Sequence, residues 1–324
     1  MLVRLFWFWP FFILLFASSV GFAQSIGNWQ AYKDQPGGGY GRAVFENDFF
    51  LGSDRYYTQG LDLEMVTPLF NRLITNKLLY NPRFSFTRYG IGIQHNAFTP
   101  GSVSDPTLLV GDRPYAGVLT IRNFAIAIDT LRRQRFYTSV AAGVIGKAAI
   151  AGDIQGFVHK VLGNYMPNGW LHQIRNDIML NYDAAYEKEL LRYRHFFLLS
   201  AAANVNVGTL LTGAGVSTTV MLGHFHSPFA DERASRRHLH FYVYDQPSAY
   251  LPGYNATLQG GVFNRASPYV IRETDISRPV LRNRLGFVAA WQNVCVEYFM
   301  TTLTREFATG DSHSYGGLQL SIGY

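Results

Sequence analysis

A single cysteine, Cys295, stands in 324 residues, so no internal disulfide can brace this chain and its stability must come from packing and sheet closure. Charge is scarce: Asp, Glu, Lys and Arg make up only 15% of the sequence. The net balance is +6, but the cations are scattered rather than gathered on one helix, which excludes a nucleic-acid-binding face. Past the first residues no stretch reaches the ~18 uninterrupted apolar residues of a membrane-spanning helix. There is no Gly-x-Ser-x-Gly, which removes a serine-hydrolase elbow. The glycine-rich "PGGGY" lacks a following Lys-Ser/Thr and is no phosphate loop. Repeats, heptads and low-complexity tracts are missing too.

What is present begins with an address. The opening "MLVRLFWFWPFFILLFASSVGFAQS" sets Arg4 before an apolar run and small residues at its end, the layout of a secretory leader cut after Ala23. Residues 1–23 are read as a signal peptide and 24–324 as one domain. Aromatics are abundant, with 20 Tyr and 25 Phe. Export, aromatic richness, low charge and no helical span predict an all-β fold, a transmembrane barrel in a bacterial outer membrane. A periplasmic β-sandwich is the soluble alternative. A basic exported barrel suits anionic lipid head groups.

Alternating segments recur along the chain. In "DIMLNYDAAYEKEL" Leu180, Tyr182, Ala184 and Tyr186 oppose Asn181, Asp183, Ala185, Glu187 and Glu189. "HLHFYVYD" and "NVCVEYFMTTL" alternate in the same way, as lipid-facing and lumenal faces would. Such runs number roughly twelve, each near the ~10 residues of a tilted membrane strand. They start near residues 41, 56, 88, 117, 133, 176, 195, 214, 237, 278, 293 and 314. The final "GGLQLSIGY" fits a closing strand.

The stretch "FENDFFLGSDRYYTQGLDLEM" carries more than alternation. Its second half sends Tyr57, Leu61, Leu63 and Met65 one way and Thr58, Gly60, Asp62 and Glu64 to the lumen. Asn47 and Asp48 offer the hard oxygens that Ca²⁺ prefers, and a cation there could polarise an ester carbonyl. A strand end or turn is the plain alternative. Thr58 could donate a hydrogen bond.

One segment breaks the period. In "AIAGDIQGFVHKVLGNY" Ile150, Ile154, Phe157, Val158, Val161 and Leu162 recur at helical spacing, with Gly152-Asp153 as a start and Gly163-Asn164 as a stop. This predicts a short helix in a long inter-strand connection. Gln155 and His159 are i and i+4 on it. An imidazole is suited to take a proton from water near neutral pH, provided a partner holds its other nitrogen; an amphipathic helix with a polar rim is the alternative. His224 with His226, and His238 with His240, form i,i+2 pairs, two metal ligands each where three or four are needed.

The ordered motifs "FENDFF", "DRYYTQGLDL", "GDRPYAGVL", "GVIGKAAIAGDIQGFVHKVLG", "PNGWLHQIRND", "YNATLQGG" and "LTREF" resemble those of outer-membrane lipid A 3'-O-deacylases over essentially the whole mature chain. The resemblance implies a twelve-stranded antiparallel barrel whose site lies between the wall and a helix in an extracellular loop. It implies a hydrolase that removes the 3'-linked acyloxyacyl chain of lipid A with Ca²⁺. His159 would be the base, with Gln155 beside it. Asn47 and Asp48 would hold the cation or position the carbonyl, and Thr58 would share the pocket. Asp54, Arg55, Asp112 and Arg113 would be architectural or bind the head group, Arg55 and Arg113 being the cations of the set. Two departures stand out: the loop "QHNAFTPGSVSDPTLLV" has no cation before "GDR", and "GNYMPNGW" has no acid. A lipid A of different phosphorylation is therefore expected as substrate. The chain is expected to be a monomer among outer-membrane lipids. A passive pore, a silent structural barrel and a phospholipase are the rival functions.

Overall fold

The computed structural model describes residues 39–51, 55–229 and 239–324; the expected leader, Asp54 and His238 lie outside them. Twelve strands follow in order: β1 (Tyr40–Asn47), β2 (Gln59–Val66), β3 (Phe86–Phe98), β4 (Ala116–Asp129), β5 (Gln134–Ile145), β6 (Asp177–Tyr193), β7 (Phe197–Gly208), β8 (Leu211–His224), β9 (His240–Asn255), β10 (Val280–Trp291), β11 (Val294–Leu303) and β12 (His313–Gly323). Each pairs antiparallel with its neighbour, and β1 with β12 closes the cylinder through Tyr40↔Gly323 to Asn47↔Gly316. Closure leaves no unpaired edge, the condition for a sheet in hydrocarbon. No helix among the described residues could cross a membrane.

Alternation is visible in burial. Along β11, Val294, Val296, Tyr298 and Met300 are exposed while Cys295, Glu297, Phe299 and Thr301 are buried. The outward set matches the reading from sequence, and so does the division along β6. The lumen is filled. Arg42 pairs with Glu64 at 3.0 Å, and Arg122 reaches Asp62 at 2.8 Å and Glu64 at 2.5 Å. Higher up, Arg284 lies 3.5 Å above the Phe299 ring and pairs with Glu46 at 3.2 Å. Space is fitted to these groups: a Cβ at Gly90 would stand 2.2 Å from the Phe124 ring. Charges this deep persist because each has a partner.

The two rims differ. One carries the start of β1, the end of β12, the tight turns 130–133, 194–196 and 292–293, in which Arg133, Arg194 and Gln292 take φ of 51°, and the 67–85 connection. The other carries the long connections 99–115, 146–176 and 256–279. Short turns mark the periplasmic side and long loops the extracellular side of such barrels.

One alternation expected from sequence fails. Tyr57 does not share the outer face with Leu61; it is fully buried, and its hydroxyl is the donor shared between Glu46 Oε2 and Asn96 Oδ1, both at 2.8 Å. The cause is local: Tyr56 has a φ of 68°, and the strand starts only at Gln59. The period-2 rule does not reach back past that break. Burial, with the Glu46 charge beside it, pushes the Tyr57 phenol well up, so it stays protonated and donates.

Candidate active site

The helix α1 (Ala151–Leu162) begins one residue before the expected Gly152, after Ile150 at φ 54°. Gly163 ends it at φ 71°, and the Asn164 N–H returns to the His159 carbonyl at 2.9 Å, a left-handed glycine stop. It rides on the outside of β3 and β4. Ala151 and Trp170 pack with Ala97 and Tyr115, and a Cβ at Gly117 would stand 2.6 Å from that of Ala151. His95, on the outer face of β3, meets the Ala149 carbonyl at 2.9 Å.

The helix is inside out. Its buried residues are Ala151, Gln155 and His159, spaced i, i+4, i+8, while Phe157, Val161 and Leu162 are about two-thirds exposed at 69%, 67% and 66%. A helix on a water-soluble core would invert this. On a barrel wall, hydrocarbon lies outside and polar groups are the ones sheltered.

Each sheltered group is oriented. His159 Nδ1 lies 2.5 Å from the Tyr165 carbonyl. A carbonyl only accepts, so Nδ1 carries the proton and the imidazole lone pair sits on Nε2. The partner is thus a backbone oxygen and not Gln155. Gln155 Oε1 accepts from Trp170 Nε1 at 2.6 Å. An indole only donates, which fixes the amide flip. Gln155 Nε2 is left buried without a hydrogen-bond partner, a donor whose desolvation costs about 1–3 kcal/mol until an acceptor arrives.

The second cluster stands at the same rim on the neighbouring strands. Asn47 ends β1, and its Oδ1 accepts from the Phe49 N–H at 2.7 Å. Asp48 opens the 3₁₀ turn Asp48–Leu51, is 1% exposed, and accepts from the Arg55 N–H at 2.5 Å. Thr58 is buried, with its hydroxyl 2.7 Å from that of Thr99 and its N–H 3.2 Å from the Ala97 carbonyl. Ala97 also touches the helix cluster. Two strand spacings, about 10 Å, separate the β1 and β3 lines. A buried carboxylate beside an amide oxygen fits a hard dication such as Ca²⁺. Two side chains would leave most of its six to eight positions to carbonyls, water or substrate. No group of three His, Cys, Asp or Glu among the described residues forms a ready metal cage.

The two arginines part company. Arg113 is wholly enclosed, paired with Glu306, 2.9 Å from Thr257 Oγ1 and stacked on Phe98. Thr257 lies in the short α2 (Ala256–Gln259), which Asn255 caps. Arg113 is therefore a strut of the loop layer. Arg55 keeps an exposed side chain, 3.3 Å from Asp311. Asp112 orders its loop by accepting from the Gly101 N–H at 2.8 Å. Beside α1 runs a cleft of ≈ 830 Å³ lined by Lys147, Lys160, Arg175, Phe157 and Trp170, with one acid, Asp153. Trp170 and Tyr165 were not foreseen as site residues. "PNGWLHQIRND" contains the first, but nothing in its spacing assigns it to Gln155.

A closed cylinder with an apolar outer wall, a packed polar lumen and a helix on its long-loop rim defines an outer-membrane β-barrel. The chain belongs to the outer membrane protein LpxR family, whose model matches residues 9–324; this is the family to which the ordered motifs pointed. LpxR from Salmonella typhimurium superposes with a TM-score of 0.71 at 20% identity, covering 88% of this chain and 100% of that one. The β domain of the Bordetella autotransporter BrkA gives 0.44 at 9% identity over 89% and 99%, a likeness too distant to argue from. No curated protein matches.

Proposed function

We propose that this chain is a carboxylic ester hydrolase that removes the 3'-linked acyloxyacyl chain of lipid A in the outer membrane. The observation that carries the reading is the inverted helix, with Gln155 and His159 sheltered against the wall and Phe157, Val161 and Leu162 turned outward. A lipid can keep its tails in hydrocarbon while its ester enters between helix and wall. The motif resemblance supplies the substrate class.

With Nδ1–H held by Tyr165, His159 Nε2 takes a proton from water as that water adds to the ester carbonyl. Negative charge on the carbonyl oxygen meets the Gln155 N–H, a fixed and already desolvated donor. The adduct collapses by breaking the bond to the sugar oxygen, and His159 returns the proton to that hydroxyl. Asn47 and Asp48 would hold Ca²⁺, which when bound would polarise the same carbonyl. Thr58 buttresses this corner through Thr99. Arg55 is the exposed cation nearest in sequence for a head group. The cleft cations Lys147, Lys160 and Arg175 have the sign needed for phosphate, which offsets the missing cation before "GDR". A conducting pore is disfavoured by the ion pairs that fill the lumen.

Mass spectrometry of lipid A from cells expressing the chain tests the reading. Loss of the acyloxyacyl mass is expected with the native chain. His159→Ala should lower the rate by at least about 100-fold while heat-modifiable migration of the barrel persists. Undiminished deacylation in that variant, or a change only in glycerophospholipids, would overturn it.

A further inference from the structure

The rim opposite this site carries a feature the hydrolysis does not use. Between β2 and β3 the chain makes no tight turn; residues 67–85 run along the outside of the cylinder. The 3₁₀ turns Pro68–Arg72 and Ile74–Leu78 lie against β3 and β4. Tyr80 carries this strap onto β5 and β6, its carbonyl accepting from Thr138 Oγ1 and its N–H donating to the Tyr182 hydroxyl, both at 3.0 Å. Ala125, Ala127 and Thr138 share the outward face with the exposed Ile93 and Ile121, yet all three are buried. Small side chains there make a seat for the strap. Its own outward face is apolar and basic. Leu69 and Ile74 are 80% and 76% exposed, and Leu78 is exposed as well. Arg72, Lys77 and Arg83 are exposed too, and 67–85 contains no Asp or Glu. Beside the strap a gutter of ≈ 510 Å³ follows the wall. Gly41 and Ala43 floor it between Leu63 and Met65 on β2 and Leu320 and Ile322 on β12, and Phe70 of the strap lines it. A Cβ at Gly41 would meet nothing within 4 Å.

We propose that the strap and its gutter dock an anionic glycerophospholipid of the periplasmic leaflet, the phosphate drawn by Arg72, Lys77 and Arg83 and an acyl chain laid along Gly41 and Ala43. Backbone that is neither strand nor α-helix cannot lie bare in hydrocarbon, so the strap sits at head-group depth. There each Lys or Arg is attracted to an anionic bilayer surface, and apolar side chains beside it enter the acyl boundary. Three cations without an acid in the same stretch call for an anionic partner. A second copy of the chain supplies none, since a two-fold contact through the patch would set these cations against themselves. Lipid A occupies the opposite leaflet and meets the other rim. The gutter's floor lacks side chains between bulky ridges, a shape that a flexible tail fills. None of these residues belongs to the hydrolytic corner, so the docking site does not depend on the hydrolase reading.

The test uses the full barrel in non-ionic detergent, titrated with phosphatidylglycerol or phosphatidylcholine and read by native mass spectrometry. The native chain should retain phosphatidylglycerol about tenfold more tightly than phosphatidylcholine. The triple variant Arg72→Gln/Lys77→Gln/Arg83→Gln should erase that preference, while Arg305→Gln, at the long-loop rim, should keep it. Gly41→Leu, which fills the floor, should weaken retention of both lipids. Should the triple variant fail to give a heat-modifiable barrel, Lys77→Gln alone, on an exposed side chain, should still lower the preference. Equal retention of the two lipids by the native chain, or a preference untouched by the cation variants, would overturn the site. So would a second copy of the chain bound in place of lipid, or lipid A as the ligand that the cation variants lose.

Discussion

Trp170 touches no reacting atom in the mechanism above, yet it decides which end of the Gln155 amide meets the ester. Its N–H occupies Gln155 Oε1 at 2.6 Å, so the amide N–H must face the site. Trp170→Phe keeps an aromatic ring against Ala151 and Tyr115 and removes the donor together with part of the indole. The kcat should fall by about tenfold to 100-fold with little change in KM. In the double variant with Gln155→Ala, the Trp170→Phe change should cost nothing more, since coupled groups do not add. Steady-state kinetics on the four chains measures this. His159 and Gln155 were legible in the sequence as an i,i+4 pair, and Asn47-Asp48 as a hard-oxygen doublet. What holds them was not. The Tyr165 carbonyl and Trp170 indole reach the helix only because the chain folds back after Gly163, a loop path with no periodicity to read.

The helix shows how a correct element can be seen with its orientation unknown. Spacing alone predicts α1 and its glycine stop, but an amphipathic stripe does not say which solvent lies on which side. In water Phe157 and Val161 would face the protein; on this wall they face outward. Replacing both by Asp should raise KM for vesicle-embedded lipid A about tenfold or more and leave hydrolysis of a short, water-soluble ester nearly unchanged. Equal losses on both substrates would point to a damaged site. Strand starts were similarly open to reading: β1 begins at Tyr40 and β9 at His240, close to the expected 41 and 237. The failure at Tyr57 arose because a Tyr at φ 68° carries no Gly or Asn to announce it.

For the whole cylinder, apolar residues outside and partnered charges inside set opposite tolerances on the two faces. Phe287 points outward near the middle of β10, where its cross-strand partners are Val243 and Tyr298. Phe287→Arg should destabilise the barrel by about 2–4 kcal/mol, read as a lower urea midpoint for unfolding from lipid vesicles. The seam between β1 and β12 has one more consequence. Tyr324 clasps the beginning of the sheet, its N–H on the Gly39 carbonyl at 3.0 Å and its hydroxyl on the Val66 carbonyl at 2.9 Å. The first hairpin therefore waits with one flank bare until the last strand has been secreted. Hydrocarbon cannot tolerate that bare flank, so the flank has to be covered or the seam closed wherever the ribbon meets the bilayer.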